Sequence, residues 1–251
     1  MMTRLPVIGF ITPPDWIDPS PMEFSRLNNF EVITQQCPLH MPGLDWRLSN
    51  VAKCEPALFQ AAEILTDLGC DLIVVTGTPF AWAGLHSIDD ARERQHRLQK
   101  EVGLPVIFSA IAMLEEVYRN KFKQLVINCS YYSDEWRAQW SDFVQASGFQ
   151  VIAAENFLSL GLSEAHSEHD KSQWSPHESQ IMSSLQSLNN IEADAILLGG
   201  AAVRTLSLET GIRSKIKRPV IAADRALYQA ISEWMTGVAP TQLIHQQTSV
   251  K

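Results

Sequence analysis

Val74-Val75-Thr76-Gly77-Thr78-Pro79 ends an apolar run in glycine and small residues just before a helical pattern. Leu197-Leu198-Gly199-Gly200-Ala201-Ala202 does the same near the corresponding point of the second half. A strand that stops at glycine lets backbone N–H groups approach a ligand, and the helix that follows aims the positive end of its dipole at the same spot. Such a place favours a carboxylate or a phosphate. The echo between the halves predicts a single shared crevice.

Outward from these segments, short apolar runs alternate with longer amphipathic ones. Val7–Thr12, Phe30–Gln35, Leu72–Gly77, Val106–Ser109, Leu125–Asn128, Gln150–Ala154, Ala195–Leu198 and Val220–Ala222 read as strands. Helical patterns fall at about Glu55–Leu68, Asp89–Glu101, Ser109–Tyr118, Asp134–Ala146, Pro176–Leu188, Val203–Lys215 and Arg225–Met235. Strands that are apolar throughout are covered on both faces, as in parallel βα repeats, so the chain reads as α/β. A division near Asn120 gives two four-strand units. Their strands end at Thr12-Pro13-Pro14 and Thr76-Gly77-Thr78 in the first, and at Asn128-Cys129-Ser130-Tyr131-Tyr132 and Gly199-Gly200-Ala201 in the second. Open parallel sheets bind ligands outside the carboxyl ends of their strands, so two units face to face place all four ends around one cleft.

Charge and composition narrow the partners. A formal net charge of −8 without a Lys/Arg block argues against nucleic acid or an anionic membrane as partner. No apolar stretch reaches bilayer length, and Met1-Met2-Thr3-Arg4 leads straight into a strand without a signal-peptide layout, so a cytoplasmic location is expected. Cys37, Cys54, Cys70 and Cys129 show no CxxC spacing and read as free thiols in a reducing compartment.

Several of these segments resemble the aspartate/glutamate racemase superfamily, in particular its branch of maleate cis–trans isomerase and arylmalonate decarboxylase. The carriers are Val7-Ile8-Gly9-Phe10-Ile11-Thr12-Pro13-Pro14, Thr76-Gly77-Thr78, Tyr132-Ser133-Asp134-Glu135, Leu198-Gly199-Gly200 with Arg204-Thr205-Leu206, and Pro219-Val220-Ile221-Ala222-Ala223-Asp224-Arg225-Ala226. The resemblance implies two pseudo-symmetric, doubly wound, flavodoxin-like parallel-sheet domains with the active-site cleft between them. Residues 1–119 plus about 224–251 would form the first, because the last helix commonly crosses back, and 120–223 the second. It further implies a small mono- or dicarboxylate ligand, no metal or organic cofactor, and a homo-oligomer as a common state. The implied chemistry is that of a lyase or isomerase working through an enediolate-like intermediate.

Two positions depart from the pattern that the resemblance implies. Racemases and isomerases of the superfamily use a cysteine at the end of the third strand of each half, and arylmalonate decarboxylases keep only the second. Gly77 and Gly200 stand at those positions. Glycine can neither remove a proton nor return one, so a two-thiol mechanism has no residues to run on. A catalytically retired carboxylate-binding or regulatory protein is the alternative reading.

What remains is the anion-holding part. By the resemblance, Thr78, Tyr132 and the amides around Gly200 and Ala201 match carboxylate-binding positions, with Pro14 and Gly77 bordering the same ends. An N-cap for Thr78 and a half-buried aromatic for Tyr132 are the plainer alternatives. Cys129, Tyr132 and Asp224 are the candidate catalytic groups. Cys129 is a displaced nucleophile or proton donor, or else a small buried hydrophobe; Asp224 is a base, or else a cap of the final helix. Arg225 can clamp a second carboxylate bidentately, whereas Asp15 faces the cleft or else suits a solvated turn. His166, His169 and His177 with Glu164, Glu168 and Asp170 lack a metal-ligand frame and read as a polar loop over Ser163–Ser175, a lid that Trp174 would close. Trp16 and Trp82 read as apolar walls or as packing.

Overall fold

The computed structural model describes residues 4–27, 31–163 and 175–237. The first half runs β1 (Val7–Thr12), α1 (Ser20–Leu27), β2 (Ile33–Pro38), α2 (Leu48–Val51), α3 (Glu55–Asp67), β3 (Leu72–Val75), α4 (Thr78–Trp82), α5 (Ile88–Val102), β4 (Val106–Phe108) and α6 (Ser109–Arg119). The second runs β5 (Gln124–Ser130), α7 (Asp134–Ala146), β6 (Gln150–Asn156), α8 (Glu178–Leu188), β7 (Ala195–Leu198), α9 (Glu209–Lys215), β8 (Val220–Ala222) and α10 (Ala223–Thr236). Each half forms a four-stranded, all-parallel sheet, in the orders β2-β1-β3-β4 and β6-β5-β7-β8.

The identical order places the four glycine- and turn-bearing segments alike in the two sheets. In each sheet the connections reverse direction between the two central strands, β1 and β3 in one and β5 and β7 in the other, and this switch point is where open parallel sheets admit ligands. The four segments singled out in the sequence follow those four strands. Their rigidity comes from burial, since every residue of β1, β3 and β7 is removed from solvent. A continuous apolar core then runs from Ile73 and Val75 of the first sheet to Leu125, Ile127 and Leu197 of the second.

Helix α10 belongs to the second half in sequence but packs on α6 and β4 of the first. Its Leu227, Tyr228 and Ile231 close a core with Ile8, Phe10, Phe24, Leu72 and Val74. Among the described residues no helix is long and apolar enough to cross a membrane.

The boundaries differ from expectation in instructive places. The edge strand β2 runs Ile33–Pro38, later than the apolar Phe30–Gln35 run, because pairing with β1 sets its register from Val7↔Ile33 to Thr12↔Pro38. A proline fits an edge, where half the ladder bonds are not needed. The helix expected over Val203–Lys215 begins only at Glu209, because Arg204 and Thr205 are held in a turn by the side chains described below. Helices α1 and α4 are short and were not legible as amphipathic periods.

Candidate active site

The two sheets meet through a pair of hydroxyls. Gly77 provides an extended N-cap, so that Thr78 is the first residue of α4, and its Oγ1 lies 2.5 Å from the Tyr132 hydroxyl of the other half. Tyr132 is aimed there by the turn after β5. Ser130 adopts φ +49, the Tyr132 N–H donates to the Cys129 carbonyl (2.9 Å), and Asn156 Nδ2 donates to the Tyr132 carbonyl (3.0 Å). Both hydroxyl-bearing side chains are buried. Burial pushes the Tyr132 phenol far above its ordinary range, so at neutral pH it acts as a neutral hydrogen-bonding group.

The two glycines at the expected thiol positions are closely covered. A Cβ on Gly77 would come 2.5 Å from the Phe80 ring and 3.2 Å from Pro13. At Gly200 the backbone has φ +108, and a Cβ would come 2.8 Å from the Tyr131 ring and 3.0 Å from its hydroxyl oxygen. The Ala202 N–H hydrogen-bonds that hydroxyl, whose pKa is raised by burial. Tyr131 therefore takes the volume in which a side chain at position 200 would lie.

A buried acid that the sequence reading missed adjoins this junction. Asp18 Oδ1 accepts the Ser20 N–H (2.8 Å), and Oδ2 hydrogen-bonds Thr76 Oγ1, one residue before Gly77. Burial raises the Asp18 pKa, against the opposing pull of Arg204 and of the hydrogen bonds from Ser20 and Thr76. Arg204, from the loop after Gly200, donates to Ala201 O (3.1 Å), to Ser20 Oγ (3.1 Å), to Glu23 and to Tyr228. It thus straps the glycine loop of the second half to α1 of the first. Asp18-Pro19-Ser20 carries a helix-start signal, but the partners that bury the acid lie far along the chain and leave no local trace.

The remaining candidates are placed elsewhere or differently. Pro14 is buried, next in the chain to the Pro13 that covers Gly77, and Asp15 is exposed in a turn with φ +56. Cys129 is fully buried in the core, and burial pushes its thiol far up, which is the environment of an inert cysteine. Asp224 is buried and its carboxylate accepts from Thr205 N (2.7 Å), Thr205 Oγ1 (2.8 Å) and Arg225 N (2.9 Å), so it anchors the turn before α9 at the start of α10. Arg225 pairs with Glu209 (3.2 Å) in a groove that Glu116, Arg119 and Arg213 also line; none of the glycine-loop residues borders it. Trp82 is buried against Trp140, with ring centroids 5.2 Å apart. His177 is exposed and starts α8, its N–H donating to Gln180 Oε1 (3.2 Å). His166, His169, Glu164, Glu168, Asp170 and Trp174 lie outside the described residues.

Two parallel sheets in the same strand order, meeting at the carboxyl ends of their central strands, define an α/β protein with a racemase-type architecture. The family model for arylmalonate decarboxylase matches residues 51–237, and the chain belongs to that arylmalonate decarboxylase and maleate isomerase family of the Asp/Glu racemase superfamily. Among solved structures, the maleate isomerase Iso from Pseudomonas putida S16 superposes with a TM-score of 0.74 at 16% identity, covering 93% of this chain and 94% of that one. A Nocardia farcinica maleate cis–trans isomerase variant carrying a covalently bound succinylcysteine intermediate gives 0.70 at 17%, with 93% and 94% covered. A crystal structure of arylmalonate decarboxylase gives 0.70 at 15%, again over 93% and 94%. No curated protein matches the chain in sequence.

Proposed function

We propose that the chain binds a small mono- or dicarboxylate between its halves and acts on it as a cofactor-independent lyase or isomerase through an enediolate-like species, without a cysteine. In this reading residues 1–119 with about 224–251 form one wall and 120–223 the other. The observation that carries it is the Thr78–Tyr132 hydroxyl pair, which joins the halves beside the glycine loops. Neutral hydroxyls and backbone amides gathered in a buried place stabilise a carboxylate, and stabilise further the charge that spreads over its oxygens as an enediolate forms.

Two neighbouring groups supply a specific proton-transfer step. With Gly77 and Gly200 in place of thiols, and with Cys129 buried, the groups positioned to exchange a proton are the Tyr131 hydroxyl against Gly200 and the Asp18 carboxyl beside Thr76. Loss of a carboxyl group as carbon dioxide would leave the electron pair on the α-carbon and the remaining carboxylate; a proton from Asp18 or Tyr131, replaced from water, would complete the product. Maleate and arylmalonates enter as probes because the relatives bear those names.

The filled space at both glycines favours the second reading, a carboxylate-binding protein without turnover. One experiment separates the two. The purified chain is screened against malonate, phenylmalonate, maleate and related acids by thermal shift and, in parallel, by NMR for product. Binding with turnover supports the enzyme; binding without it supports the second reading; no thermal shift with any acid overturns both.

A further inference from the structure

Trp140 lies on α7 with its ring almost wholly removed from solvent, stacked on Phe143 with centroids 5.5 Å apart. Its Nε1–H has no hydrogen-bond acceptor among the described residues. An indole nitrogen only donates, so this is a buried donor left over. Its position is not random. A Cβ on Gly199 would lie 3.8 Å from Trp140 Nε1 and 3.9 Å from the Tyr132 hydroxyl oxygen, so the two polar atoms flank the space that Gly199 leaves free of a side chain.

A census of hydrogens sharpens this. Thr78 and Tyr132 face each other oxygen to oxygen, and one hydrogen serves the bond between them. The hydroxyl that accepts keeps its own hydrogen for another partner. With the Trp140 N–H, the junction gathers two donors more than its internal bond uses. Buried donors are normally satisfied, and an excess of them marks a place built for an oxygen acceptor.

We propose that Trp140 Nε1–H and the Tyr132 hydroxyl together hold one oxygen of the ligand carboxylate in the gap at Gly199. The assignment rests on the carboxylate reading above and adds a residue to it. It also gives Gly199 a role distinct from that of Gly200. Gly200 is required by its backbone and by Tyr131, whereas Gly199 is not in the left-handed region and has ordinary van der Waals distances around its missing Cβ. A methyl group fits there, but it occupies the place of the oxygen.

The test uses the whole chain with 15N-labelled tryptophan, titrated with malonate, phenylmalonate and maleate. Trp140→Phe keeps an aromatic ring and removes the donor, and its missing signal assigns the Trp140 indole resonance. On saturation that resonance is expected to move downfield, and Trp140→Phe is expected to bind about tenfold more weakly. Gly199→Ala, which keeps the indole, is expected to fold with an unchanged melting temperature and to lose at least as much affinity; it carries the test if Trp140→Phe does not fold. If a dicarboxylate binds and Thr78→Val weakens it, while Gly199→Ala and the Trp140 signal are unaffected, the gap holds a structural water only. Trp140 is then excluded and the carboxylate reading stands. If none of the three acids binds the native chain, the carboxylate reading and this assignment fall together.

Discussion

The Tyr131 ring occupies the space that a side chain at Gly200 would need, with its nearest ring carbon 2.8 Å from the Cβ position. The glycine is therefore part of the packing of this junction as well as the absence of a thiol. Two independent terms oppose any larger residue. Left-handed backbone at a non-glycine residue costs about 1–3 kcal/mol, and overpacking a filled site costs about 1–3 kcal/mol more. Gly200→Ala and Gly200→Cys are expected to lose about 2–6 kcal/mol in denaturant unfolding. Gly43→Ala is the control, with φ +75 and nothing within 4 Å of its Cβ, and it should lose only the backbone part. Equal losses at the two positions would show that Tyr131 yields freely.

The hydroxyl pair predicts a binding phenotype without unfolding. Hydrogen bonds to a charged group contribute about 1.5–3 kcal/mol, so Thr78→Val and Tyr132→Phe should each weaken the best ligand of the screen by roughly tenfold to a hundredfold. Calorimetry reads the affinity and a thermal melt reads the fold. Unchanged affinity in both variants would remove the pair from the binding site.

Asp18 predicts a slope of stability against pH. Its folded pKa is raised above the ordinary value of 3.8 by burial, so the folded chain holds a proton that the unfolded chain releases. Stability is then fully present below the unfolded value and falls as pH rises through the folded one. Ser20, Thr76, Arg204 and Tyr131 are the groups that face this carboxyl. Asp18→Asn imitates the protonated form and removes the slope. Its melting temperature relative to the native chain should therefore be higher at pH 7 than at pH 4, and a gap that narrows as pH rises would mean that Arg204 keeps Asp18 ionised.

Thiol titration addresses Cys129 directly. Cys54, Cys70 and Cys129 are buried and Cys37 is half-buried. Burial raises the Cys54 pKa to about 11 and that of Cys129 further. At pH 7.5 a disulfide reagent should modify Cys37 alone within minutes, and all four cysteines only in guanidinium. Rapid modification of Cys129, suppressed by malonate, would return it to the reaction.

The strands and long helices were legible because their apolar periods are intact; Val7–Thr12, Ala195–Leu198 and Val220–Ala222 have the bounds read from the sequence. The junction of the strand ends was legible for another reason: Gly77 and Gly200 interrupt apolar runs, and a glycine there needs a backbone explanation. Asp18, Tyr131, Trp140 and Arg204 were not, because each acquires its meaning from a partner on a distant element of the chain. Arg204 also explains the overlong helix read at Val203. Val203 and Leu206 lie three apart and Leu208 and Ile212 four apart, which is helical spacing, but the guanidinium ties to Glu23 and Ser20, and Thr205 ties to Asp224.

The crossing of α10 has a consequence for synthesis. Strands β5 to β8 follow one another without interruption, so the second sheet has all its strands once Ala222 has left the ribosome. The first sheet, though made earlier, waits longer. Ile8, Phe10, Leu72 and Val74 stay without the cover of Leu227, Tyr228 and Ile231 until those residues of α10 have emerged. The half that is translated first is thus the half completed last, and during that interval its apolar face, covered only in part by Phe24 of α1, is the surface a nascent-chain chaperone would meet.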